Sequence, residues 1–247
     1  MVNRKKTDLL LFAQNKPKAY VSENFRKLRT NIYLSLKDHA NGIVMITSAG
    51  PGEGKSTITA NLGVVMAQAG RKVLLVDSDL RNPTMHKFFS MENNRGLTNL
   101  LVQNLDIANI VRSTGTKRLW LATSGPIPSN PSELLQSKPM KDFLTKALAQ
   151  YDIVLLDVPP LISVTDAVVL APLVDGVLLV VKSESTVVDK IKVAKSYLEM
   201  ASANILGVVL NNVKVSKGDY NYYYRKQEDI DTNHFEAFSE VAVSKGE

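Results

Sequence analysis

Ile43-Val44-Met45-Ile46-Thr47-Ser48-Ala49-Gly50-Pro51-Gly52-Glu53-Gly54-Lys55-Ser56 is an apolar run that breaks into a glycine-rich turn ending in Lys-Ser. The run reads as a short buried strand, and the residues from about Lys55 to Gln68 read as a helix closed by Ala69-Gly70. Strand, glycine-rich turn and helix in that order are the context a phosphate-binding loop requires. Ala49 to Ser56 matches the loop pattern except that Ala49 stands in place of the first glycine. Gly50, Gly52 and Gly54 let backbone amides close around phosphate oxygens, with Pro51 and Glu53 between them. The helix start at Lys55, Ser56 and Thr57 adds the positive end of its dipole. Lys55 is the mobile cation for the β- and γ-phosphates, and the Ser56 hydroxyl is a magnesium ligand of the expected kind. The stretch therefore predicts a site for ATP with Mg²⁺.

Two acidic elements accompany it. Val73-Leu74-Leu75-Val76 is followed by Asp77-Ser78-Asp79-Leu80-Arg81, and Ile153-Val154-Leu155-Leu156 by Asp157 with Pro159-Pro160 turning the chain away. One carboxylate past a strand is usually a turn former. Three of them beside a phosphate loop read as metal coordination and activation of a nucleophile. Asp79 and Asp157 join Ser56 as candidate magnesium ligands, directly or through water, and Asp77 is the candidate base. The roles of Asp77 and Asp79 are exchangeable, because both end the same strand. Asn211, after the last apolar run, is the candidate for the adenine edge.

The remaining chain alternates apolar runs with helical spacing. A helix is expected from Ser22 as cap, with Phe25, Leu28, Ile32 and Leu36 on one face. Asn130-Pro131-Ser132-Glu133 predicts a capped helix running to about Gln150. Strands at 119–123, 176–181 and 205–210, and helices at 165–173 and 187–200, complete the pattern. Continuously apolar strands separated by helices imply an α/β fold with a mainly parallel central sheet covered on both faces, a P-loop NTPase architecture. Ligands then belong at the carboxyl ends of the strands. The divisions expected are a basic flexible leader (1–20), one domain (21–215) and a flexible tail (216–247).

The absence of cysteine excludes disulfides, thiolate metal sites and a cysteine nucleophile, and three dispersed histidines argue against a histidine zinc site. The most apolar segment, 167–181, is broken by Pro172 and Asp175 and falls short of a membrane span. The chain reads as cytoplasmic, held by another protein if it works at the inner face of the membrane. Its formal charge is +6, but Met1 to Arg29 alone holds eight basic residues against Asp8 and Glu23, so the rest of the chain is neutral. That distribution argues against nucleic acid and suits an acidic partner or anionic lipid. Half of the eight tyrosines, Tyr220, Tyr222, Tyr223 and Tyr224, fall within five residues of a polar segment. Neighbours on an extended chain point to opposite sides, so one core cannot bury them all.

On the phosphate loop, the Asp77-Asp79-Arg81 element and the Asp157-Pro160 element, residues 20–224 resemble the bacterial tyrosine kinases (BY-kinases) of capsule and exopolysaccharide clusters, in the form separate from its membrane activator. Glu23, Arg26 and Arg29 resemble that family's oligomerisation motif, and their spacing of three puts them on one helix face. Taken alone, they read as a surface pair within one helix, worth a few tenths of a kcal/mol. The resemblance implies phosphoryl transfer from MgATP to tyrosine, with Lys55, Asp77, Asp79 and Arg81 in the catalytic set. It further implies a ring-shaped homo-oligomer whose members phosphorylate the tyrosine clusters of neighbours, a transmembrane activator of polysaccharide export, and a cognate phosphotyrosine phosphatase. Four phosphates would add about −6 to −8 charges, enough to reverse the chain's +6. The competing class is the partition and division-site ATPases, nucleotide-switched positioning proteins of the same fold. Those carry a signature lysine at the second loop position, where this chain has Gly50.

Overall fold

A computed structural model of the chain describes residues 11–36, 41–214 and 242–244. Its centre is an eight-stranded sheet in the order β3-β4-β2-β5-β1-β6-β7-β8. The strands are β1 (Gly42–Ser48), β2 (Val73–Asp77), β3 (Val111–Ser113), β4 (Leu119–Ala122), β5 (Ile153–Asp157), β6 (Gly176–Lys182), β7 (Ile205–Asn211) and β8 (Ala242–Ser244). All pairings from β4 to β7 are parallel, and the two outermost, β3–β4 and β7–β8, are antiparallel. The parallel register aligns Asp77 with Asp157 across β2 and β5, so two carboxylates end neighbouring strands at one level.

Alternation along the strands sorts the core into two layers. Val44, Ile46, Leu75, Leu155 and Val180 face α1 (Phe12–Asn15), α2 (Tyr20–Ser35) and α3 (Lys55–Gln68). Ile43, Met45, Leu74, Leu156 and Leu179 face the other side. There they meet α5 (Leu97–Gln103), α6 (Pro131–Gln136), α7 (Lys138–Leu148), α8 (Asp166–Leu170) and α9 (Val188–Met200); the short α4 (Met85–Phe88) lies between β2 and α5 in sequence. α3 is buried without interruption from Ile58 to Ala67. It lies so close to β2 that a Cβ on Gly63 would stand 2.7 Å from Leu75 Cδ2.

The helix expected to be capped by Ser22 begins two residues earlier, at Tyr20. Ser22 is fully buried, and its hydroxyl donates to the carbonyls of Lys16 (2.7 Å) and Phe12 (3.2 Å), fastening α1 onto α2. The leader expected to be loose to residue 20 is thus ordered from Leu11. Ala13 N donates to Asn61 Oδ1 at 3.0 Å, and Gln68 donates to Ala13 O at 3.1 Å. The single helix expected from 130 to 150 is two, because Pro139 has no N–H for the carbonyl of Leu135 and its ring would collide with it. Ser137 turns extended (ψ 161°) and α7 restarts with the proline in its first turn, where it is tolerated. Asn130 caps no backbone group; its amide donates to the Glu133 carboxylate. β8 is a strand inside the segment read as a tail, pairing backbone to backbone with Val208–Leu210. The four clustered tyrosines lie outside the described residues, as do His39 and His234.

Candidate active site

The loop between β1 and α3 opens at the carboxyl edge of the sheet. Gly54 takes φ +94°, and a Cβ there would stand 2.1 Å from Asn211 Nδ2, so both the torsion and the space call for glycine. The loop is braced from within and without. Glu53, almost fully buried, accepts from Ala49 N (3.0 Å) with one oxygen and from the Thr186 hydroxyl (2.7 Å) with the other. The Asn211 amide donates to the Glu53 carbonyl at 2.9 Å. Nothing in the sequence around Thr186 marks it for the loop, since Glu53 is 133 residues away; Asn211, expected at the adenine edge, donates to the loop itself.

Lys55, the first residue of α3, meets the carboxylates. Its ammonium lies 2.8 Å from Asp79 Oδ2 and 3.4 Å from Asp157 Oδ1, with the Ser56 hydroxyl at 3.3 Å. Burial works against its charge, but Asp157 and Asp79 outweigh burial and raise its pKa. Asp157 is fully buried. Burial raises its pKa, and Lys55 and the Ser56 hydroxyl oppose that rise. Asp77 is pushed well above the ordinary carboxylate value by burial and by the neighbouring Asp157. Its Oδ2 accepts from Thr84 N (3.0 Å) and Met85 N (2.9 Å), while Oδ1 finds no hydrogen-bond partner. Asp79 Oδ1 accepts from Asn82 N at 2.9 Å.

Lys55, Ser56 and Asp79 border a cleft of about 500 Å³, within the range of small-molecule sites, while Asp77 and Asp157 lie buried behind its wall. One wall is Pro51, Gly52, Gly54, Lys55, Ser56 and Thr57; Asp79, Asn82, Thr84, Lys87, Phe88 and Pro160 form the rest. Asn82, Thr84, Lys87 and Phe88 were not singled out by the sequence, because the loop that carries them has no motif beyond Arg81. Arg81 does not line the cleft: its guanidinium forks onto Asp166 at 2.9 and 3.0 Å and reaches Ser132 Oγ at 3.0 Å. A magnesium ion fits the donors present, one hydroxyl and carboxylate oxygens, to which the phosphates of a nucleotide would add the rest of the usual set for that cation. Asp157 Oδ2 is buried without a hydrogen-bond partner, the bare oxygen a cation would satisfy. Among the described residues no group of three or more His, Cys, Asp or Glu forms a metal cage by itself. His86 is no exception, its pKa lowered by burial and by Lys87.

Glu23, Arg26 and Arg29 are already engaged within the chain. Arg26 pairs with Glu23 at 2.6 Å and donates to the Pro17 carbonyl, and Arg29 donates to the Val65 carbonyl at 3.2 Å. No helix among the described residues is long and apolar enough to cross a membrane.

The AAA domain family matches residues 41–213. The chain is 46% identical over 217 residues to the tyrosine-protein kinase YwqD of Bacillus subtilis, covering 87% of this chain and 92% of that one. It is 38% identical to the putative tyrosine-protein kinase CapB of Staphylococcus aureus, covering 91% and 98%. Among solved structures, the kinase domain of the Escherichia coli tyrosine kinase ETK superposes with a TM-score of 0.80 at 33% identity, over 84% of this chain and 82% of that one. The septum site-determining protein MinD of Pyrococcus horikoshii, with Mg-ADP, superposes at 0.59 and 26% identity, over 71% and 72%. The fold is thus shared with the division-site ATPases, but sequence and structure both lie nearer the kinases. The chain belongs to the bacterial tyrosine-protein kinases of capsule and exopolysaccharide clusters.

Proposed function

We propose that the chain transfers the γ-phosphate of ATP, held with Mg²⁺ at the Ala49–Thr57 loop, to the hydroxyls of Tyr220, Tyr222, Tyr223 and Tyr224 of neighbouring copies. The observation that carries this reading is the meeting of Lys55 with Asp79 (2.8 Å) and Asp157 (3.4 Å) at the mouth of the loop. The ammonium neutralises two carboxylates in the structure. A triphosphate entering the loop offers it a denser negative charge, and Lys55 turning to the phosphates frees oxygens of Asp79 and Asp157. Ser56, Asp79 and Asp157 would then hold magnesium, which would supply neutralisation of the phosphate charge. The loop amides and Lys55 stabilise the remaining charge as the phosphoryl group moves. Asp77 is the proposed base. Its raised pKa suits it to accept the phenolic proton, and its Oδ1 is uncommitted. Asp79 is the second reading, favoured by its place on the cleft wall. The pH–rate profiles of Asp77→Asn and Asp79→Asn separate them, because only loss of the base removes the acidic limb.

The reading extends to a ring of subunits meeting through Glu23, Arg26 and Arg29, recruited to the inner face of the membrane by a transmembrane activator. A phosphotyrosine phosphatase would reset it, and the state of the tail would govern polysaccharide export. The test mixes two variants. Lys55→Met supplies intact tyrosines without activity, and a protein with all four tyrosines changed to Phe supplies activity without acceptors. Phosphate mapped to residues 220–224 of the Lys55→Met protein is the result expected. Phosphate on neither protein, while the four-Phe variant still phosphorylates an added tyrosine peptide, contradicts transfer between copies.

A further inference from the structure

Arg81 carries a charge that the cleft does not use, and its partners come from two other loops. Asp166, the first residue of α8, is fully buried, and both of its oxygens are engaged by the Arg81 fork. Ser132, in the first turn of α6, donates to Asp166 Oδ1 and accepts from Arg81. One guanidinium therefore ties together the segments that follow β2, β4 and β5. The segment it pulls on, residues 78–84, has no regular secondary structure. Yet it carries Asp79 to Lys55 and ends on the Thr84 and Met85 amides that hold Asp77. A planar fork on a buried carboxylate fixes direction as well as distance, which a point charge does not. We propose that Asp166 and Ser132 are positioning residues for phosphoryl transfer, acting through Arg81 to hold the 78–85 segment so that Asp79 keeps its place on the cleft wall and Asp77 keeps its two amide contacts behind it.

The inference rests on the reading of Asp77 and Asp79 given above, and its test keeps the two apart. In nucleotide-free Asp166→Asn protein, hydrogen exchange at the Thr84 and Met85 amides should accelerate while exchange in β1 stays unchanged. With MgATP, kcat for tyrosine phosphorylation should fall by about 10²-fold, the scale of an ångström-sized displacement. KM for ATP should stay within about threefold, because the phosphate loop is built elsewhere. Arg81→Lys, which keeps the charge and loses the fork, should show the same pattern, and joining it to Asp166→Asn should add little further loss. If Asp166→Asn does not fold, Ser132→Ala and Arg81→Lys carry both readouts. Unchanged exchange and kcat in folded variants, alongside an inactive Asp79→Asn, overturn the positioning role and leave the site reading standing. Exchange rising equally in β1, with kcat and KM both worsened, assigns these residues to general stability and overturns it as well. An active Asp79→Asn protein instead removes the site reading on which the inference stands.

Discussion

Asp77 keeps one oxygen on two amides and the other without a partner, in a place where water does not reach it. Burial and Asp157 raise its pKa, so the folded state keeps a proton on this carboxyl up to a higher pH than the unfolded chain does. The sign follows from linkage: a folded pKa above the unfolded one gives stability that is present at low pH and lost as pH rises through the folded value. Asp77→Asn removes that loss. In metal- and nucleotide-free buffer the variant should melt higher than wild type near pH 8, with the gap closing toward pH 4. Its transfer rate should fall by roughly 10²–10⁴-fold, the usual contribution of a general base. A lower melting point at pH 8 contradicts the desolvated-carboxylate account. The Lys55 side chain is only 12% exposed and spans two carboxylates. Lys55→Met should therefore abolish transfer and also lower stability at pH 7. Acidification should recover that stability, because Asp157 and Asp77 lose the cation that opposes their protonation. Denaturation midpoints at pH 5 and pH 7, with circular dichroism to confirm the fold, measure this.

Between β1 and α3, backbone shape and ligand chemistry coincide at one position. Gly54→Ala meets an αL-side torsion and Asn211 Nδ2 at 2.1 Å together. Strain of this kind costs about 1–3 kcal/mol, so the loop should deform and ATP binding by calorimetry should weaken at least tenfold in a folded protein. Gly63→Ala, inside α3, should lower stability and leave ATP affinity unchanged, because the atoms nearest its Cβ belong to the core side chains Leu75 and Leu119. The loop, β2 and β5 were legible from sequence because strand, turn and helix are contiguous there and each strand ends in its acid. β3 was not, being three residues long on an edge, with its pairing supplied by β4. Asp166, Ser132 and Thr186 were not legible as site residues either. The contacts that tie them to the site, Asp166 to Arg81, Ser132 to Asp166 and Thr186 to Glu53, span 34 to 133 residues, and a buried acid at the head of an apolar helix reads locally as an ordinary first-turn residue. The split at Pro139 was legible in principle, since a proline that deep in an expected helix breaks its ladder.

At the scale of the whole molecule, the sheet gathers the ends of β1, β2 and β5 at one rim, so chemistry drawn from three distant segments shares one cleft. Assembly would have to recruit α2, where Arg26 and Glu23 already pair on an exposed face; within one chain such a pair is worth at most about 1 kcal/mol. Replacing Glu23, Arg26 and Arg29 together with Ala should leave ATP binding intact and reduce the mass by light scattering to that of a monomer. An unchanged oligomer places the contact elsewhere. The most direct measurement of the central claim follows the phosphate itself. Wild-type chain and Lys55→Met are incubated with γ-labelled ATP and Mg²⁺, and the labelled residues are mapped by mass spectrometry. The account predicts label on tyrosines of the 220–224 cluster in the wild type and none in Lys55→Met. Inorganic phosphate released with no labelled tyrosine would contradict it and describe a nucleotide-switched ATPase, and so would labelled tyrosine in a folded Lys55→Met protein.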